Sequence, residues 1–143
     1  MAGRLDGKVA IVTGAGAVGP GWGNGRATAV LFAREGARVA LVDYDGEAAE
    51  ETARIIAGEG GICRVLTADA TDEAGMAAVA ARCAEAFGRI DVLHHNVGGS
   101  IPGGPEEMSV AEFRSQLDLN LTSAFIAARV VLPVMVAQGA GVI

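Results

Sequence analysis

Thirteen residues, Thr13-Gly14-Ala15-Gly16-Ala17-Val18-Gly19-Pro20-Gly21-Trp22-Gly23-Asn24-Gly25, lie between an apolar run, Val9–Val12, and a segment of helical periodicity, Arg26–Glu35. Glycine has no Cβ, so in such a turn backbone N–H groups can come up against a bulky anion. The following helix adds the partial positive charge of its N-terminus. That combination suits a pyrophosphate, with Gly14, Gly16, Gly23, Asn24 and Gly25 as the cradle. Asp43 stands 18 residues after Gly25, at the end of the next apolar run, with Tyr44 beside it. A carboxylate there accepts hydrogen bonds from ribose hydroxyls and repels a 2′-phosphate, and no Lys or Arg directly follows it. The pair of features points to NAD in preference to NADP. A glycine run alone says little; the strand before it, the helix after it and the acid at the right distance make it specific. The competing reading of Asp43 is a solvated carboxylate at a strand end.

These residues need elements to hold them. Val9–Val12, Val39–Val42 and Val92–His95 are short apolar runs without polar alternation, as in parallel strands buried on both faces. A third strand is expected at Cys63–Leu66. Helical periodicity marks Arg26–Glu35, Glu47–Ala57, a helix from near Asp72 with Met76, Val79, Ala80, Cys83 and Phe87 on one face, and a last helix. Gly36, Gly58 and Gly88 are expected to stop the first three. The last opens on a capping box, Ser109 with Glu112, and carries the stripe Phe113, Leu117, Leu121, Phe125, Ala128 and Leu132. Pro133 is expected to kink or fray its end. Gly141-Val142-Ile143 begins what reads as a fifth strand. Strand–helix alternation of this kind predicts an α/β, Rossmann-type, doubly wound parallel sheet in three αβα layers. We read residues 1–143 as a single domain, incomplete at its C-terminal side.

Hydrophobic residues make up 51% of the 143, enough for a core, and the formal charge is −6. An acidic chain is a poor match to nucleic acid, which needs a basic face. Cys63 and Cys83 form no CxxC pair and read as reduced apolar thiols, in keeping with a cytoplasmic protein. The segment Met1–Val12 does not read as a signal peptide, because Asp6 and Lys8 interrupt it. Val130–Val136 reads as too short for a membrane span and contains Pro133. His94 and His95 are adjacent on a strand, so their side chains face opposite sides and do not converge on one metal ion.

In sequential order these segments resemble the short-chain dehydrogenase/reductase family. Lys8–Gly14 (KVAIVTG) looks like the family's first strand and turn, and Gly23–Ala29 like the end of its TGxxxGxG turn and the helix start. Asp69-Ala70 matches the Asp-apolar pair that holds the adenine ring, and His95-Asn96-Val97-Gly98 stands where the family has Asn-Asn-Ala-Gly. Leu117-Asp118-Leu119-Asn120 matches the helix segment whose asparagine belongs to the catalytic tetrad. The resemblance implies adenine at Asp69 and Ala70, and the nicotinamide ribose near Asn96, Val97 and Gly98. It implies that Asn120 holds the helix backbone open for a water in a proton relay. It further implies an alcohol or ketone substrate, with the Gly98–Glu107 loop as one wall of its pocket, and assembly into a dimer or tetramer through the apolar stripe of the last helix.

Two departures qualify it. The glycine turn is longer than the family's usual form, with the extra residues best placed at Val18–Trp22; Trp22 is expected either to cover cofactor or substrate or to be a partly buried surface aromatic. The family's later serine and Tyr-x-x-x-Lys are not found, for the chain has one tyrosine, Tyr44, and one lysine, Lys8. The reading is therefore the cofactor-binding part of an NAD-dependent dehydrogenase, a fragment whose fourth strand is expected to have an unpaired outer edge. Two alternatives are a stand-alone NAD-binding module without catalysis and an S-adenosylmethionine-binding domain; the Asn96–Gly98 and Asn120 matches disfavour the latter.

Overall fold

A computed structural model describes residues 3–143. The central strand is the first one. β1 (Val9–Thr13) is buried along its whole length, and β2 (Arg38–Asp43) is buried except at its two ends. Strands whose two faces are both covered have no use for polar alternation, which is why these segments read as continuous apolar runs. β3 (Ile62–Thr67) and β4 (Val92–His95) flank them in the order β3-β2-β1-β4, all parallel. β3 alternates exposed with more buried residues, as suits an edge.

Helices fill both faces. Val12, Val39 and Leu41 pack with Ala29 and Val30 of α1 (Asn24–Arg34) and Ile56 of α2 (Gly46–Gly58). Val9, Ile11, Ala40 and Val42 pack on the other side with Met76 and Cys83 of α3 (Glu73–Phe87) and Ile126 and Val131 of α5 (Ser123–Gln138). The three-layer αβα arrangement follows. Burial pushes the Cys83 thiol up to about 11, so it is an apolar core group and no nucleophile. Asp45 caps α2 through the N–H groups of Glu47 and Ala48, and Asp72 caps α3 through those of Ala74 and Gly75. The Ser109–Glu112 capping box opens α4 (Val110–Leu117).

Three features differ from expectation. First, the end of the last helix does not fray at Pro133 but runs on to Gln138; the proline is exposed, while Val131 and Met135 on the opposite side hold the helix to the core. The apolar stretch is also longer than Val130–Val136: Val110–Gln138 is a 29-residue helical stretch apolar enough, by length and composition alone, to cross a membrane. In the fold its Ser123, Ile126, Ala127, Val131 and Met135 are buried against the rest of the chain. Second, the stretch contains a π-helical turn, Asp118–Thr122, between α4 and α5. Third, the outer edge of β4 is not bare. Val142 N–H donates to Asp91 O, Leu93 N–H donates to Val142 O, and the Gln138 amide both accepts from Ile90 N–H (2.9 Å) and donates to Ile90 O (2.8 Å).

Leu41 is completely buried at the centre of the sheet. Leu41→Ala is expected to lower unfolding free energy by roughly 2–5 kcal/mol, read as a shift of the urea midpoint at unchanged slope.

Candidate dinucleotide site

The glycine turn leaves the carboxyl end of β1 and folds back on itself. Gly14 adopts a left-handed φ of 61°, and a Cβ on it would lie 2.8 Å from Asn96 O. A Cβ on Gly25 would lie 1.7 Å from Gly14 O. The first turn of α1 therefore rests directly on the backbone of the loop that feeds it, a packing only glycine permits. Gly16 is pressed between the Asp43 carboxylate and Ala48, while Gly23 has ordinary van der Waals room. Asn24 is the first residue of α1 and is exposed.

Asp43 is tied into this turn. Its Oδ2 accepts from Gly16 N–H at 2.8 Å and its Oδ1 from Asp45 N–H at 3.0 Å. A carboxylate has about four acceptor positions, so two remain for hydroxyl donors. Tyr44, beside it, is 78% exposed. Asp69 and Ala70 follow β3. The Asp69 carboxylate accepts from both the N–H (2.8 Å) and the hydroxyl (2.7 Å) of Thr71, which hold it below the usual carboxylate range, and Ala70 is buried. All of these lie at the carboxyl ends of the strands, where open parallel sheets bind ligands.

The second half of the site lies across the crevice between β1 and β4. Asn96 N–H donates to Thr13 Oγ1 (3.1 Å) and Asn96 Nδ2 approaches Gly14 O (3.5 Å). Val97 packs against the core, and Gly98 is exposed. Asn120 lies in the π-turn. Its Nδ2 donates to Gly99 O (2.8 Å) and Gln116 O (2.9 Å), and its Oδ1 accepts from Gly99 N–H (3.0 Å). One amide thus staples the strand-four loop to the helix. A Cβ on Gly98 would meet Asn120 Oδ1 at 2.9 Å, so the loop lies flat against it.

Sequence reasoning missed three participants. Thr52 is fully buried in α2 and its hydroxyl donates to Ala15 O at 2.8 Å. Arg26, 5% exposed, reaches from α1 to α2 and the glycine turn. Each was detectable as a polar residue on an otherwise apolar stripe, Ala49-Thr52-Ile56 and Arg26-Ala29-Val30. The third is His95. The Ser123 hydroxyl gives its one proton to Leu119 O, so His95 Nε2–H donates to Ser123 Oγ (3.0 Å) and the bare Nδ1 accepts from Thr13 Oγ1 (3.0 Å). His94 points the other way, edge-on to Phe32, so the two rings diverge as expected. Trp22, expected either to cover cofactor or substrate or to be a partly buried surface aromatic, is 62% exposed.

These elements define a Rossmann-type α/β domain. The sequence profile of the short chain dehydrogenases matches residues 8–143. The chain belongs to the short-chain dehydrogenase/reductase family. It is 39% identical over 140 residues to D-threitol dehydrogenase of Mycolicibacterium smegmatis, covering 98% of this chain and 52% of that protein. It is also 39% identical to 7α-hydroxysteroid dehydrogenase of Escherichia coli over 142 residues, covering 98% and 52%. The chain thus spans about half the length of the curated relatives it matches. Among solved structures, a protein from Burkholderia xenovorans assigned to the same family superposes with a TM-score of 0.95 at 48% identity, over 99% of this chain and 56% of that one. A 7α-hydroxysteroid dehydrogenase complexed with NADH and 7-oxo glycochenodeoxycholic acid superposes with a TM-score of 0.89 at 37% identity, over 97% and 52%.

Two predictions follow from the packing. Gly25→Ala drives a methyl into Gly14 O, so we expect destabilisation of roughly 1–3 kcal/mol by thermal melting. Burial, helped by the charge of His94, lowers the His95 pKa below 6.5. The unfolded chain keeps the ordinary value, so folding favours the neutral ring. Stability from this group is full above pH ~6.5 and drains as pH falls toward the folded value. His95→Asn should flatten the dependence of melting temperature on pH in that window; an unchanged slope would show that His95 is not its source.

Proposed function

We propose that this chain is the cofactor-binding part of an NAD-dependent oxidoreductase that moves a hydride between an alcohol or ketone and the nicotinamide. The observation that carries it is the junction of Gly16 with Asp43, where the pyrophosphate turn and the ribose carboxylate are locked together by one 2.8 Å hydrogen bond. The residues suit the cofactor because the turn is packed so closely that side chains at Gly14, Gly16 and Gly25 would collide with it. In this reading Gly14–Gly25 and the α1 N-terminus receive the pyrophosphate. Asp43 and Tyr44 take the adenosine ribose, Asp69 and Ala70 the adenine, and Asn96–Gly98 the nicotinamide ribose.

NAD is preferred to NADP on charge. A 2′-phosphate beside Asp43 would meet Asp45 and Glu47 as well, and the buried cation nearby, Arg26, is already paired with Glu51 at 2.7 Å. When bound, the nicotinamide accepts or gives the hydride. This chain's part is to orient it and, through Asn120 in the opened helix, to hold one end of a proton path. Tyr44 at the end of β2 and Lys8 ahead of β1 are too far apart in the fold to act as an acid–base pair at the crevice between β1 and β4. That placement also favours a second reading, a binding module without turnover, if these residues act alone. The exposed Phe113, Leu117, Leu121 and Phe125 support assembly into a dimer or tetramer.

The test is titration of the intact protein with NADH and NADPH, followed by turnover assays on secondary alcohols. We expect NADH to bind more tightly. Asp43→Ala should weaken NADH by roughly tenfold, a loss of about 1.4 kcal/mol, and NADPH less or not at all. Equal binding of both cofactors before and after the substitution would refute the assignment of Asp43. For assembly, Phe125→Asp should shift the sedimentation coefficient to that of a smaller species.

A further inference from the structure

The lengthened glycine turn is held at one end by α2 directly and at the other by Arg26 of α1, which is itself bonded to the same stretch of α2. Its first root is Ala15, whose carbonyl accepts the Thr52 hydroxyl at 2.8 Å. Its second root is Gly21, whose carbonyl accepts from Arg26 Nη1 at 2.7 Å. Between them Val18 is fully exposed. Arg26 is almost wholly buried, and three of its other four donors go to the same stretch of α2: Nε to Thr52 Oγ1 (3.2 Å), and Nη2 to Glu51 Oε2 (2.7 Å) and Ala48 O (3.4 Å). A buried guanidinium with a fixed fork of donors sets the distance between the groups it bridges. The extra residues, Val18–Trp22, are thereby held across α2 at a set spacing from Gly16, whose own N–H is held by Asp43.

We propose that Arg26 is a positioning residue for dinucleotide binding, acting through its hold on Gly21 to fix the long turn in the shape that receives the pyrophosphate. The proposal rests on the reading that this site takes NAD. It assigns Arg26 no contact with the cofactor. It also separates two of the guanidinium's four bonds: the one to Gly21 sets the turn, and the one to Glu51, which is 57% exposed in its side chain, balances charge.

The experiment uses the intact protein and compares Arg26→Lys, Glu51→Gln, a deletion of Val18–Trp22, and that deletion combined with Arg26→Lys. Two quantities are read: NADH affinity, and the rate of chymotryptic cleavage after Trp22 without any dinucleotide. Lysine keeps the charge but cannot fork between Gly21 and α2. We expect Arg26→Lys to weaken NADH roughly tenfold and to speed cleavage roughly tenfold, while Glu51→Gln changes each by less than about twofold. With Val18–Trp22 removed, Arg26→Lys should change NADH affinity by less than about twofold, because the group it positions is gone. Equal weakening by Arg26→Lys in the two backgrounds overturns the proposal, for Arg26 would then act only through α1–α2 packing. Equal effects of Arg26→Lys and Glu51→Gln overturn it as well. A melting curve on each variant separates unfolding from loosening of the turn. If the unsubstituted protein binds no NADH yet Arg26→Lys speeds cleavage, the NAD reading falls and the anchoring of the turn by Arg26 stands.

Discussion

The close approach of α1 to the carbonyl of Gly14 is the constraint on which the rest of this face depends. With only a hydrogen at Gly25, the helix N-terminus comes down onto the turn, and the turn is pushed against Asn96. That contact fixes where the N–H groups of the turn can point and how far β1 lies from the loop after β4. Asp43, Thr52 and Arg26 then hold the turn from the other side. The crevice is a consequence of two backbones packed at a distance that side chains forbid.

The elements themselves were plain in the sequence for a related reason. Strands buried on both faces must be apolar throughout, and Val9–Val12 and Val39–Val42 have no alternative. The capping box at Ser109 marks a helix start because its oxygen satisfies an N–H group nothing else reaches, whereas the equivalent cap at Asp45 went unread. Residues at the candidate site were legible where chemistry restricts the type, as with Gly14, Gly25 and Asp43. The links between them were not. Nothing in the order of residues says that Thr52 meets Ala15, or that the Asn120 amide closes on Gly99, because those contacts depend on how α2 and the long helix settle on the sheet.

The π-turn is an instructive middle case. Phe113, Leu117, Leu121 and Phe125 recur every four residues. On a regular α-helix that spacing drifts by about 40° per step, roughly 120° over the run. A single wide turn absorbs about one residue and brings the stripe back onto one face. The observed turn falls at Asp118–Thr122, inside that run. The even spacing fits the opened helix backbone that the family resemblance implied at Asn120. Pro133 shows the limit of a local rule: the exposed proline sits opposite Val131 and Met135, whose burial carries the helix on to Gln138.

The strand order also imposes a sequence in time. β1, β2 and β3 are laid side by side in chain order, and only then does the polypeptide cross back to set β4 against the free side of β1. As the chain leaves the ribosome, the first three strands and their two helices can already associate, with the face formed by the glycine turn, Asp43 and Asp69 complete at Ala70. The crevice has one wall until His95 and Asn96 arrive. Nascent chains short of that point present an open face with no groove, and the groove is born with the fourth strand.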